Sequence, residues 1–212
     1  MQMGALLKGP GHRSGVRRLA PAGLLLLLLV LASCLGSSPS APRLQGTDLG
    51  STPAPPFHLV DQTGTTLSLA ALKGHPVVLT FLYTHCPGPC PLLASKLAKA
   101  SQLLGKHAQQ VTWLAVSLDP HGDTPASATQ FVAAHQLTGQ LHFLLGTTAQ
   151  LEPVWNHYFV VVEAHENVQG TTTMTHSVGV FVLDQQGRER VYLNDTMSPQ
   201  QVATDLRLLL PS

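Results

Sequence analysis

The sequence predicts an α/β fold, a central mixed β-sheet flanked by helices on both faces. Two observations carry this: unbroken apolar runs of strand length, and helical-period segments that alternate with them. "PVVLTFLY" and "VTWLAVSLD" are continuous apolar runs, the mark of strands covered on both faces. Between them Leu93, Leu97, Ala100 and Leu104 recur at helical spacing, which predicts an amphipathic helix over 91–104.

The other elements follow in order. "FHLVDQTGTTLSL" reads as an N-terminal β-hairpin turning over 61–64. After the second buried strand, Asp123-Thr124-Pro125 offers a cap followed by proline at the first helical position, opening a helix to about residue 135. "LHFLLG" reads as a short strand, 150–157 as a short helix, "YFVVVE" as another strand, and "SVGVFVLDQQGRERVYLN" as a hairpin around 185–187. Ser198-Pro199 starts a last helix whose Val202, Leu206 and Leu209 share one face. A thioredoxin-like layout is the simplest arrangement of that order. In such sheets ligands bind beyond the carboxyl ends of the parallel strands, where Tyr83 delivers two cysteines and Leu118 delivers Asp119.

The folded part is expected at 57–212. Upstream, "AGLLLLLLVLASC" follows Lys8, Arg13, Arg17 and Arg18 with no acidic residue before it. That is the pattern of a secretory signal over 1–33, too short for a comfortable membrane span. Leu31-Ala32-Ser33-Cys34 resembles a bacterial lipobox, so Cys34 is the expected site of lipidation. The domain would then sit on the extracytoplasmic side of a bacterial cell membrane, held by an N-terminal lipid anchor. Residues 34–56, rich in Ser, Pro and Gly, read as a flexible linker. Without the signal the chain has eight Lys and Arg against eleven Asp and Glu, a net of −3 that argues against nucleic acid as a partner. Apart from the lipidated Cys34 only two cysteines remain, too few for a disulfide scaffold, so the fold rests on its core.

Those two stand in "YTHCPGPCPLL". Residues four apart on a helix lie on one face with Cβ atoms about 5–6 Å apart, so Cys86 and Cys90 can aim at one point, and a disulfide is also permitted. A helix start favours thiolate, which both binds metal and attacks disulfides. Structural bridge, redox pair and metal site all stay open on geometry. The C-x-x-x-C spacing, stiffened by Pro87, Pro89 and Pro91, suits an ion better than the C-x-x-C of thiol reductants. His85 beside Cys86 and His121 near the same sheet end are minor candidates as a third ligand. His176 is the stronger one: it precedes the apolar strand in "TTTMTHSVGVFVLD", and in a thioredoxin-like fold that loop faces the cysteine helix. Two thiolates and one imidazole suit Cu(I) and also hold Cu(II), whereas structural zinc would demand a fourth protein ligand. Three ligands leave an open side, which suits transfer to another protein.

"FLYTHCPGPCP", "SLDPHGDTP" and "THSVGVFVLDQQG", in this order, resemble the Sco (SenC) family of copper-binding cytochrome c oxidase assembly proteins. The resemblance implies Cys86, Cys90 and His176 as copper ligands. It puts Asp119 where it could influence the charge around the metal or contact a partner. A turn-and-cap reading of Asp119 stays open, and Asp123 reads as a helix cap. The implied role is a membrane-anchored chaperone delivering Cu(I) or Cu(II) to the binuclear CuA site of cytochrome c oxidase subunit II, with other copper carriers or thiol reductants as further partners. The alternative is a thiol–disulfide oxidoreductase in which Cys86 and Cys90 are the catalytic redox pair, reducing the cysteines of that site before metallation. Two departures bear on partner choice: Pro87-Gly88-Pro89 replaces a segment that is acidic in many relatives, and His121-Gly122 replaces a charged pair. Neither removes a ligand. A peroxidase of the same broad fold is disfavoured, because Tyr83 stands where peroxiredoxins set a threonine.

Overall fold

The computed structural model describes residues 43–166, 172–175 and 179–211. In chain order it comprises β1 (Thr47–Pro53), β2 (His58–Asp61), β3 (Thr66–Ser68), β4 (Val77–Leu82), α1 (Pro89–Leu104), β5 (Thr112–Ser117), α2 (Pro125–Ala134) and β6 (Leu141–Leu145). There follow α3 (Thr148–His157), β7 (Glu163–Glu166), β8 (Thr172–Thr175), β9 (Gly179–Leu183), β10 (Arg188–Asn194) and α4 (Pro199–Leu209). Eight strands form one mixed sheet in the order β1-β10-β9-β4-β5-β6-β2-β3, and β7 and β8 form a separate antiparallel pair.

All six residues of β4 are buried, as the unbroken apolar run requires. β4, β5 and β6 are parallel, and β9 and β2 flank them antiparallel. Right-handed crossovers from β4 to β5 and from β5 to β6 run in the same direction, so α1 and α2 cover one face. The register agrees with this. Thr80, Ala115 and Phe143 lie level on that face, and Phe143 packs edge-on against Phe131 of α2 with ring centroids 5.8 Å apart. Phe81 points the other way, where Tyr158 at the end of α3 and Phe181 of β9 close on it at 5.5 and 6.4 Å. α4 packs against α1.

Local chemistry sets the helix starts. Thr124 caps α2 through a reciprocal box with Ser127, and Ser198 caps α4 through one with Gln201, each with proline in the first turn. Leu93, Ala94, Leu97, Ala98, Ala100 and Leu104 form the buried stripe of α1.

The chain departs from the sequence reading at two places. "YFVVVE" is mostly not a strand. Tyr158 N–H and Phe159 N–H return to Val154 O and Asn156 O at the end of α3, Phe159 takes φ +53°, and β7 begins only at Glu163. Helix termination thus overrides the β propensity of three valines. Residues 47–53, placed by composition in a flexible linker, form β1 against β10, so a strand precedes the β2–β3 pair. What orders them is remote in sequence: the buried Asp205 of α4 accepts the Gln45 and Gly46 N–H groups at 2.6 and 2.9 Å. Gly46 is required there, since a Cβ would lie 2.6 Å from Tyr192 O. Cys34 and the expected signal lie outside the described residues. Among those described, no helix is long and apolar enough to cross a membrane.

A second buried carboxylate holds the other sheet edge. Asp61 accepts the Thr63 N–H, the Thr63 hydroxyl and the Thr65 N–H, and its other oxygen meets His142 Nδ1 at 2.7 Å. Burial pushes its pKa up, but the His142, Thr63 and Thr65 hydrogen bonds outweigh that and hold it below the ordinary 3.8.

Asp205→Ala, which leaves two N–H groups without an acceptor, should lower unfolding free energy by about 2–3 kcal/mol in urea denaturation. It should also abolish hydrogen-exchange protection in β1; retained protection would refute the tether. Since the Asp61 pKa is depressed by folding, its stabilisation is present above pH 3.8 and is lost as pH falls through the folded value. Asp61→Asn should therefore be less stable at neutral pH and lose less stability than the wild type on acidification, as followed by thermal melts across that range.

Candidate functional site

The parallel strands β4 and β5 end side by side, and their two following loops form the site. Leu118 N–H donates to Leu82 O at 2.9 Å, which fixes the loops level with each other. The first loop carries Tyr83 to Gly88 into α1. Gly88 provides no side-chain cap, and of the first three helical positions, Pro89, Cys90 and Pro91, only Cys90 has an N–H. That single donor points at the Cys86 sulfur, 3.4 Å away. Cys86 N–H in turn reaches Tyr83 O at 3.4 Å.

Both cysteines are buried and are not joined by a disulfide. The hydrogen bond with Cys86, and next burial, push the Cys90 thiol far above its ordinary 9.0. Cys90 therefore keeps its proton until something displaces it. A soft cation would do so, and the donor set fits one: two sulfurs meet at a helix start, with a backbone N–H already directed at one of them. Among the described residues no group of three or more His, Cys, Asp or Glu is placed to hold a metal. His176 lies outside the described residues. β9 begins against β4, however, with the Thr80 hydroxyl donating to Gly179 O at 2.8 Å.

The second loop is organised by two aspartates. Asp119 folds its own turn, accepting the His121 and Gly122 N–H groups at 3.3 and 2.8 Å, while its backbone N–H donates to Ser117 Oγ at 3.1 Å. A Cβ at Gly122 would overlap that carboxylate, so any side chain there would push Asp119 out of its turn.

Asp123 is the residue that sequence reasoning missed. It is not the cap of α2, a position taken by Thr124. Its buried Oδ1 accepts the Thr84 N–H at 2.8 Å and the Thr84 hydroxyl at 2.7 Å, and its Oδ2 accepts the Ser117 hydroxyl at 2.6 Å. One carboxylate thus binds the cysteine loop to the end of β5. Its only sequence signal was the shared D-T-P context, which a cap explains equally well. Burial raises its pKa, against the lowering effect of the Ser117 and Thr84 hydrogen bonds.

Known proteins resemble this chain across nearly all of the domain. The model of the SCO1/SenC family matches residues 46–210. SenC of Rhodobacter capsulatus is 25% identical over 155 residues, 73% of this chain and 69% of that protein. Among solved structures, Bradyrhizobium japonicum ScoI with copper bound is 31% identical with a TM-score of 0.69, covering 75% of this chain and all of that one. Apo Sco1 of Thermus thermophilus is 25% identical with a TM-score of 0.70, covering 81% and 99%.

Asp123→Ala should cost about 2–3 kcal/mol, because it strands the Thr84 and Ser117 donors. It should also speed alkylation of Cys90, a thiol whose accessibility depends on the clamped loop; an unchanged alkylation rate would disprove the clamp. The raised pKa of Asp123 makes its pH effect opposite to that of Asp61. Its contribution is fullest below pH 3.8 and is lost as pH rises through the folded value.

Proposed function

The chain belongs to the SCO1/SenC family, and from that premise we propose that it is a copper-binding protein of cytochrome c oxidase assembly. In finer detail, the proposal is an extracytoplasmic chaperone, anchored through lipid on Cys34, that delivers copper to the CuA site of subunit II. Copper is the cargo. Cys86 and Cys90 bind it as thiolates and His176 as a neutral imidazole.

The observation that carries this reading is the Cys90 N–H aimed at the Cys86 sulfur from a helix start that prolines have otherwise stripped of donors. That arrangement stabilises negative charge on sulfur, the form that binds a soft cation. Chain length supports His176 as the third ligand. It precedes Gly179 by three residues, and three residues reach about 10 Å at most from a strand start bonded to β4. Asp119, committed to its own turn, acts by shaping the loop beside the metal or by meeting a partner there.

The hydrogen-bonded pair of thiols also supports a second reading, a thiol–disulfide oxidoreductase that prepares the cysteines of the same target site. The two differ in what His176 does.

Anaerobic Cu(I) titration of the reduced full-length chain against a strong chelator should find one tightly bound copper. Affinity should fall on acidification because thiols must lose protons to bind. His176→Ala should weaken it at least about tenfold. Weak binding that ignores His176, with thiol exchange intact, would overturn the chaperone reading in favour of the reductase.

A further inference from the structure

Beside the cysteine loop lies a second set of nitrogen donors. The cleft between that loop and α2 has a volume of about 330 Å³ and is lined by Thr84, His85, Pro91, Ser127, Phe131 and His135 among others. A water molecule's share of liquid volume is about 30 Å³, so the cleft has room for an ion with water ligands.

The hydrogen bonds on its floor select the tautomer of His85. The shortest contact of the Thr84 hydroxyl is to the Asp123 carboxylate, at 2.7 Å, and a charged acceptor takes the single hydroxyl proton. His85 Nδ1 lies 3.1 Å from the same oxygen. With that proton committed to Asp123, the oxygen accepts from Nδ1, which leaves Nε2 as the ring nitrogen turned away from this chain of hydrogen bonds and available to an ion. Carboxylate, hydroxyl and imidazole in series give the orienting arrangement that metal-ligating histidines use, with one hydroxyl interposed. His135 is the second imidazole on the cleft. Its ring is held against Phe131 with centroids 4.6 Å apart, and burial lowers its pKa, which favours the neutral, metal-binding form.

We propose that His85, through Nε2, and His135 form a second copper site in this cleft, one residue from Cys86 along the chain and weaker than the cysteine pair. Two imidazoles with water in the remaining positions suit Cu(II) and bind Cu(I) less firmly than thiolates do. The site is a waiting position on the path of copper into or out of the cysteines. The ion moves between sites by ligand exchange, with no change of oxidation state. The proposal rests on the copper reading of the cysteine loop, and a background lacking that loop's sulfurs separates the two.

The test uses the full-length chain carrying Cys86→Ser, Cys90→Ser and His176→Ala. Cu(II) should bind as one equivalent, with two coordinated imidazoles counted by pulsed EPR. His85→Gln and His135→Gln should each lower that count to one and weaken binding at least about tenfold. An unchanged imidazole count and affinity when both are replaced would overturn the site, as would a background that takes up no Cu(II). Should the background not fold, the chain already holding one Cu(I) serves instead. A second, weaker equivalent should be lost when His85 and His135 are both replaced, and its retention would overturn the proposal.

Discussion

Each side chain of β4 is buried, and alternate residues of a strand point to opposite faces. Both faces of the sheet must therefore be covered along the same strand. α1 and α2 cover one, α3 covers the other, and the aromatic contacts of Phe143 and Phe81 mark the two interiors. A strand enclosed in this way has one outlet for polar chemistry, its carboxyl end. The cysteine loop occupies that outlet, so the protein's reactive groups sit at the end of a strand that packing on both faces holds rigid.

That rigidity is passed to the loop by a few charged hydrogen bonds. Asp123 draws Thr84 and Ser117 to one carboxylate, adding a side-chain tie to the Leu118–Leu82 backbone bond that already joins the two strand ends. The prolines on either side of Cys90 act on the same loop from the other direction. They leave one backbone donor at the helix start and direct it to sulfur. Loop, helix and strand end thus form one polar network at the edge of an apolar core. Thr84 belongs both to the Asp123 clamp and to the contact with His85, which links the order of the loop to the orientation of its imidazole.

Buried carboxylates recur as long-range ties elsewhere. Asp205 holds the segment leading into β1, Asp61 holds the turn after β2 against His142 of β6, and Asp184 accepts the Arg188 side chain and the Gln186 and Arg188 N–H groups at the β9–β10 turn. Each is satisfied by several donors, as burial of a charge demands. They secure the sheet where hairpin turns or edge strands have little apolar surface of their own.

The central elements were legible in the sequence because their signals are local. An unbroken apolar run means a strand covered twice, a 3.6-residue stripe means a helix with one face inward, and Thr124-Pro125 or Ser198-Pro199 marks a helix start within four residues. The cysteine spacing likewise identified Cys86 and Cys90 as a pair. What the sequence concealed depends on partners far along the chain. β1 exists through Asp205, some 160 residues away, and a Ser/Pro/Gly-rich composition carries no trace of that carboxylate. The valines after α3 have high β propensity, but the helix ends through them, with the Val160 N–H returning to Trp155 O, and no strand begins before Glu163. Asp123 looked like a cap because capping is a local interaction, while its real partner, Thr84, lies 39 residues earlier. By itself, then, the sequence determined the central buried strands, the helices and the cysteine loop, since local spacing sets those. Tertiary structure alone decided which loops share a carboxylate and which imidazoles share a cleft, because hydrogen bonds and cavities are set by proximity in space.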